Sequence, residues 1–322
     1  MKKCVLIYNP ESGYKKNKLN IDNLKSILEE NDYELSLMAT EKKGDAFNYV
    51  LEIKNVDLVI VAGGDGTLNE AVSGNIKREQ PLLLSHLPVG TVTDVGKLYG
   101  FTKDSNKDIM LILNGEEKNI DVGLINNKPF LYVACFGNYT NISYETPRKL
   151  KKMFGRFGYF IFAIKSIGQR IKKYNIKYEI NNKKYEGQYS FIFITNSSRV
   201  AGLNNIYDNI KLDDNKFEVA LCNVKSKRDL IKTFYEIRTK DIKDIKNIDY
   251  YQTDNLKIIF DKIPTKSWCI DGEELSHENN TFIFKIDKRS NMLLPKKNVS
   301  KLFLDKKIWK YLTNSDIFFF YL

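Results

Sequence analysis

The chain has 322 residues, 43% of them hydrophobic and 28% charged, which argues against a disordered chain or a membrane-embedded bundle and leaves room for about two domains. Its 51 Lys and Arg against 40 Asp and Glu give a net charge of +11, which favours an anionic partner: a nucleotide, a nucleic acid or an acidic lipid surface. Cys4, Cys135, Cys222 and Cys269 are scattered in or beside apolar stretches and read as reduced, buried thiols of a cytosolic protein, and the distant pair His86 and His277 argues against a histidine-based metal cluster.

In chain order, MKKCVLIYNP has too short an apolar run for a signal peptide and predicts a first strand over 5–8. A helix over 19–28, a strand over 33–38, a helix over 46–53 and a strand over 58–62 follow, then a helix over 67–74, a strand over 82–87 and a helix over 104–113. Short apolar strands alternating with helices predict a doubly wound α/β domain around a parallel sheet. Beyond about residue 121, β segments at 176–180, 189–195, 217–222, 256–260 and 281–286 predict a second, β-rich domain, interrupted by helical segments over 148–173 and 227–238. The boundary is expected near 121–130, at the turn Asn126-Asn127-Lys128-Pro129. No apolar stretch, that of 157–164 included, approaches the ~20 residues needed to span a bilayer.

Three loops after successive buried strands carry the chemistry. In VAGGDGTLNE, Gly63, Gly64 and Gly66 follow a strand and precede a helix, so backbone amides and the helix dipole can meet a phosphate. Asp65 would repel that phosphate unless a Mg²⁺ ion lay between them. An ordinary β-to-α turn with an Asp cap is the alternative. In LPVGTVTDVGK, Gly90 and Thr91 can offer an amide and a hydroxyl, Asp94 a carboxylate and Lys97 a charge, against a Pro-Gly turn and a helix cap as the alternative. The third loop, Asn9-Pro10-Glu11-Ser12-Gly13, follows the first strand, and all three should share the carboxyl edge of the sheet, where open α/β folds bind ligands.

Together with Ile120-Asp121-Val122-Gly123, Leu212-Asp213-Asp214 and Asp271-Gly272-Glu273, these motifs resemble the diacylglycerol kinase catalytic-domain family of bacterial lipid kinases, which also includes sphingosine and ceramide kinases. The Gly-Gly-Asp-Gly-Thr core is shared with NAD kinases and phosphofructokinases; the other motifs narrow the resemblance to lipid kinases. The resemblance implies an N-terminal nucleotide domain (1–124), a C-terminal β-sandwich (125–287), an active site in the cleft between them, and a final segment (288–322) that returns to the first domain. It implies ATP contacts from Asn9, Pro10, Ser12, Gly13, Thr40, Gly63, Gly64, Asp65, Gly66, Thr67, Asn69, Glu70, Gly90 and Thr91. Asp65 and Asp94 would organise a catalytic Mg²⁺, Glu273 would accept the proton of a lipid hydroxyl, and a second Mg²⁺ would be held by the Lys211 and Lys216 carbonyls and the Asp214 carboxylate. The alternative for Asp271-Gly272 is a plain hairpin turn.

The chain departs from the family pattern at Thr93, where Asn is usual, at Lys97, where Arg is common and bidentate contact is lost, at Asn215 in place of Gly, and at Ala201-Gly202-Leu203, which lacks a second Gly. Asn tolerates a left-handed conformation, so the turn at 215 is expected to survive.

The stretch RKLKKMFGRFGYFIFAIKSIGQRIKK over 148–173 interleaves cations with aromatic and aliphatic residues, as a segment lying on an anionic bilayer would. A helix with an apolar core side and a solvated basic face is the alternative. The tail, with Leu302, Phe303, Ile308, Trp309 and Leu312 at helical spacing, is expected to dock on the first domain, a membrane or homodimer contact being the alternative. The resulting expectation is an ATP- and Mg²⁺-dependent lipid kinase of the cytosol and the inner membrane surface, acting on diacylglycerol, with no nucleic-acid partner. Its rivals are an NAD kinase-like enzyme and a non-catalytic nucleotide- or lipid-binding module.

Overall fold

The apolar runs of the first third lie side by side in a parallel sheet. In the computed structural model, which describes residues 1–10, 19–89, 93–102, 104–138, 171–197, 199–200, 203–204, 210–296 and 299–304, β1 (Lys2–Tyr8) lies between β2 (Tyr33–Ala39) and β3 (Leu58–Gly63), and β4 (Leu84–Pro88) extends the sheet beyond β3. Helices α1 (Ile21–Glu30), α2 (Asp45–Glu52), α3 (Asp65–Asn75), α4 (Asp94–Leu98) and α5 (Ser105–Leu113) connect and flank these strands. With helices against them, β3 and β4 are buried at every position; β3 therefore reads as an unbroken apolar run, while β4, LSHLP, also buries Ser85 and His86. The Asn20 side-chain Oδ1 caps α1 by accepting from the Asn23 amide, and the Asp104 carboxylate caps α5 by accepting from the Asn106 and Lys107 amides. The helix expected to start at Thr67 starts two residues earlier, at Asp65, because Gly64 takes the extended conformation of the capping residue.

The second half is built of β5 (Glu116–Ile125), β6 (Lys128–Phe130), β7 (Val133–Gly137), β8 (Tyr174–Ile180), β9 (Lys183–Tyr189), β10 (Phe191–Thr195), the short pair β11 (Arg199–Val200) and β12 (Leu203–Asn204), and β13 (Phe217–Cys222). Then come α6 (Lys227–Thr239), β14 (Ile248–Thr253), β15 (Asn255–Phe260), β16 (Trp268–Ile270), β17 (Glu273–Leu275) and β18 (Thr281–Leu294). One mixed sheet runs β2-β1-β3-β4-β18-β15-β8-β9, with β5 also paired to β18; a six-stranded antiparallel sheet runs β14-β13-β10-β7-β16-β17. The fold is thus an α/β layer continued by a β-sandwich.

The long strand β18 joins the two parts. It pairs antiparallel with β15 near its start and parallel with β4 at Met292, and its register against β5 shifts between Ile286 and Lys288. The expected divisions at 124/125 and 287/288 therefore fall inside β5 and β18 rather than in linkers. Between the sheets, Phe136, Phe260, Trp268, Phe282 and Phe284 pack with ring centroids 4.8–5.7 Å apart. Burying each such side chain contributes about 1.5–3 kcal/mol, enough to fix the position of β16 and of the hairpin it begins.

The strand expected over 189–195 is two strands broken at Ser190. The first, β9, is polar and largely exposed at the sheet edge, and its β8–β9 turn is made by Asn181 and Asn182, at φ 50° and 59°. On the outer face of the six-stranded sheet, α6 packs Leu230 and Ile237 over a platform that includes Phe191, Ala220 and Cys222. The basic stretch over 148–170, the tail from 305, and Ser12, Gly13, Gly90, Thr91, Ala201 and Gly202 lie outside the described residues. Among the described residues no helix is long and apolar enough to cross a membrane.

Candidate active site

The carboxyl ends of β1, β2, β3 and β4 are tied together by backbone hydrogen bonds. The Asn9 amide donates to Ala62 O (3.2 Å), the Thr40 amide to Tyr8 O (2.9 Å) and the Val89 amide to Gly63 O (3.2 Å). Asn9, Pro10, Thr40 and the Gly63–Gly64 turn therefore share one edge, as the motifs predict. Gly63 serves packing: a Cβ there would lie 2.7 Å from both Cβ and Oγ1 of Thr67, which fixes how closely α3 can follow β3. From below, His86 on β4 places Nε2 3.2 Å from Gly63 O, while burial pushes its pKa down to about 4 and keeps the ring neutral. Sequence reasoning treated His86 only as an unlikely metal ligand and missed this support.

At the start of α3, Asp65 is 7% exposed, its Oδ2 accepts from the Asp94 amide (3.0 Å), and its Oδ1 is buried without a hydrogen-bond partner. Desolvation pushes its pKa up to about 7, with Asp94 and Asp271 adding like-charge repulsion. An orphaned carboxylate oxygen held at this cost at a helix N-terminus fits a hard cation. Among the described residues no set of three or more His, Cys, Asp or Glu could hold a metal alone. A Mg²⁺ ion that keeps several waters and shares its remaining positions between one or two carboxylates and substrate phosphates would not need such a set.

Opposite α3 stands the β16–β17 hairpin. Ile270 and Glu273 pair across the two-residue turn of Asp271 and Gly272, at φ 48° and 89°, so the plain hairpin reading holds. The turn also places a carboxylate. Asp271 is buried; its Oδ2 accepts from the Leu131 amide (2.7 Å) and Asn69 Nδ2 (2.8 Å), its Oδ1 from the Tyr132 (3.1 Å) and Val133 (3.0 Å) amides. Asn69, expected at ATP, thus spends its amide on the hairpin and on Pro129 O (3.4 Å). Two residues beyond Asp271, Glu273 reaches back to α3, and a Cβ at Gly66 would lie 3.0 Å from its Oε1. The absent side chain at 66 leaves room for the carboxylate. Glu273 Oε2 accepts from Lys43 Nζ, a partner that no motif pointed to. Glu70 is half-buried, which raises its pKa, while the Gly44 and Ala46 amides at the start of α2 act in the opposite direction.

The Leu-Asp-Asp turn is a separate place. Asn215 takes φ 60°, so Asn replaces Gly there without loss of the turn, and its amide donates to Asp121 Oδ2. Asp121, from the Ile-Asp-Val-Gly motif, is fully buried against Arg289 Nε (2.9 Å), so this motif acts as a post between β5, β18 and the turn. Asp214 Oδ1 accepts from the Lys216 amide (3.1 Å), while Lys211 sends its ammonium to Lys301 O (2.8 Å). Burial raises the pKa of Asp214 to about 6 and of neighbouring Glu218 to about 8, and Glu218 Oε2 is unpartnered, so the donors here also fit a cation. At the second loop, Thr93 buries its hydroxyl without a partner.

A strand-loop-helix turn faced by a carboxylate from a second layer suits phosphoryl transfer, and comparison with known proteins narrows the class. Residues 3–125 match the model of the diacylglycerol kinase catalytic domain. Diacylglycerol kinases of Staphylococcus aureus strains bovine RF122 / ET3-1 and MRSA252 are each 35% identical over 225 residues, 68% of this chain and 70% of theirs. The crystal structure of a diacylglycerol kinase from Bacillus anthracis str. Sterne shares the fold, with TM-score 0.71 at 22% identity over 92% of this chain and 98% of that one. A second structure from that organism reaches TM-score 0.75 at 23% identity, over 92% and 97%. The chain belongs to the diacylglycerol kinase family and is a lipid kinase.

Proposed function

We propose that this lipid kinase transfers the γ-phosphoryl group of ATP to the hydroxyl of diacylglycerol, giving phosphatidic acid. The observation that carries the reading is the Glu273 carboxylate set against the first turn of α3, a base beside a phosphate-binding helix start. Asn9, Pro10, Ser12, Gly13, Thr40, Gly64, Gly66, Thr67, Gly90 and Thr91 form the ATP site, with the free amides of α3 toward the phosphates. Asp65 and Asp94 would hold Mg²⁺, directly or through its waters, and the ion would neutralise charge on the phosphate oxygens. The Lys211 and Lys216 carbonyls and Asp214 would hold a second, structural ion.

Glu273 takes the proton of the acceptor hydroxyl as its oxygen bonds to the γ-phosphorus and the bond to the β–γ bridging oxygen breaks, releasing ADP. Such a base contributes ~10²–10⁴ in rate. Asn69 and the three amides that hold Asp271 keep the hairpin, and hence the base, in register with α3.

Association with an anionic membrane face draws support from α6. Ile231 and Tyr235, one turn apart, are 71% and 67% exposed, with Arg228 and Lys232 exposed beside them. Asn138 bonds the Lys172 backbone twice, bringing the flanks of the basic aromatic stretch together, and Ile171 packs on the platform beneath α6. Hydrophobic side chains ringed by cations suit an anionic interface.

The test is transfer from labelled ATP to diacylglycerol, phosphatidylglycerol, sphingosine and ceramide in mixed micelles, with NAD alongside. Labelled phosphatidic acid is expected. Labelling of NAD alone would favour the NAD kinase alternative, and no product from any acceptor the binding module.

A further inference from the structure

The geometry points to Lys43 as the residue that positions the catalytic base. It rests on the kinase reading above, with Glu273 as base. Lys43 lies in the loop before α2, a loop fixed on both sides of it. Upstream, Asp45 Oδ2 accepts from the amides of Glu41 (2.8 Å) and Lys42 (2.9 Å). Downstream, Gly44 takes φ 94° and opens α2, its carbonyl oxygen accepting from the Asn48 amide (3.1 Å). The lysine therefore leaves a braced turn, and it crosses from the α/β layer to the sandwich to meet Glu273 Oε2. Its own pKa is raised, chiefly by that hydrogen bond, which keeps the ammonium charged.

Glu273 needs such a partner, because the carboxylates around it are repulsive. Glu273 raises the cost of charge on Glu70, and Asp65, Asp94 and Asp271 are grouped at the nearby start of α3. Left to itself, an anionic Glu273 on a half-exposed edge strand would turn toward water. Lys43 holds Oε2 and leaves Oε1 over Gly66, at the end of α3 where the phosphates bind. A carboxylate has lone pairs enough to accept from Lys43 on one oxygen and from the acceptor hydroxyl on the other. Lys43 thus aims the base and takes no proton itself.

The pair is exposed, with side chains 76% and 51% accessible, so its worth to folding is small and its effect should fall on turnover. Misplacing a reacting group by about 1 Å can cost ~10²-fold. Lys43→Met is expected to lower kcat ~10–100-fold for lipid phosphorylation, with KM for ATP within about twofold and an unchanged melting temperature. Lys43→Arg, which keeps the charge and reach, restores most of the rate. In a Glu273→Gln background, Lys43→Met causes no further loss, because there is no anionic base left to aim. Full kcat in Lys43→Met, a loss confined to KM for ATP, a rise in kcat, or independent losses in the double variant would each overturn the assignment. A wild-type protein that phosphorylates no lipid would overturn the kinase reading itself, a result separate from all of these.

Discussion

Replacing Asp65 with Asn should make the protein more stable and less active, in a way that depends on pH. Asp65 is buried, one of its oxygens has no partner, and its pKa rises from the ordinary 3.8 to about 7, mainly through desolvation. A folded-state value above the unfolded one means that the favourable contribution is complete below 3.8 and disappears as pH rises through about 7. The gap corresponds to about 4 kcal/mol as an upper limit, and relaxation or water entry would lower it toward about 2 kcal/mol. Asn keeps an oxygen for the Asp94 amide and removes the charge. Urea unfolding of both proteins without Mg²⁺ should show Asp65→Asn more stable by about 2–4 kcal/mol near pH 8.5, with the difference fading near pH 4. Titrations of groups distant from Asp65 cancel in that difference. A variant less stable near pH 8.5, or a difference independent of pH, would refute the claim that Asp65 is held ionised at a cost to folding.

Two further outcomes follow from the site and its surface. Asp271→Asn should lower stability by about 2–4 kcal/mol in thermal unfolding, because its amide group would face backbone N–H donors that the carboxylate now satisfies. The variant Ile231→Glu/Tyr235→Glu should bind phosphatidylglycerol vesicles at least ~10-fold more weakly in sedimentation. Its activity on a short-chain, micelle-free acceptor should be unchanged, and equal binding by both proteins would remove α6 from the membrane face.

The parts of this molecule written as local pattern could be read from the sequence. Buried strands were legible as apolar runs, the hairpin as Asp-Gly, and the tolerance of Asn215 for a left-handed turn as a property of asparagine, which its φ of 60° bears out. The edge strand β9, KKYEGQY, was not, because a strand that buries little has no alternation to betray it. Contacts between distant segments were also hidden. Gly66 looked like a phosphate glycine, and only the fold reveals that a side chain there would crowd Glu273. Asn69 looked like a nucleotide contact, yet its amide bonds Asp271, 202 positions away. Lys43 carries no motif, and its partner is 230 positions downstream.

The central claim, an ATP-dependent lipid kinase with Glu273 as its base, is tested most directly by phosphoryl transfer from labelled ATP to diacylglycerol by wild type and Glu273→Gln. The account predicts labelled phosphatidic acid from the wild type and a kcat ~10²–10⁴ lower in the variant, with KM for ATP little changed. Equal turnover by the two proteins would contradict the assignment of the base, and absence of lipid product from the wild type would contradict the function.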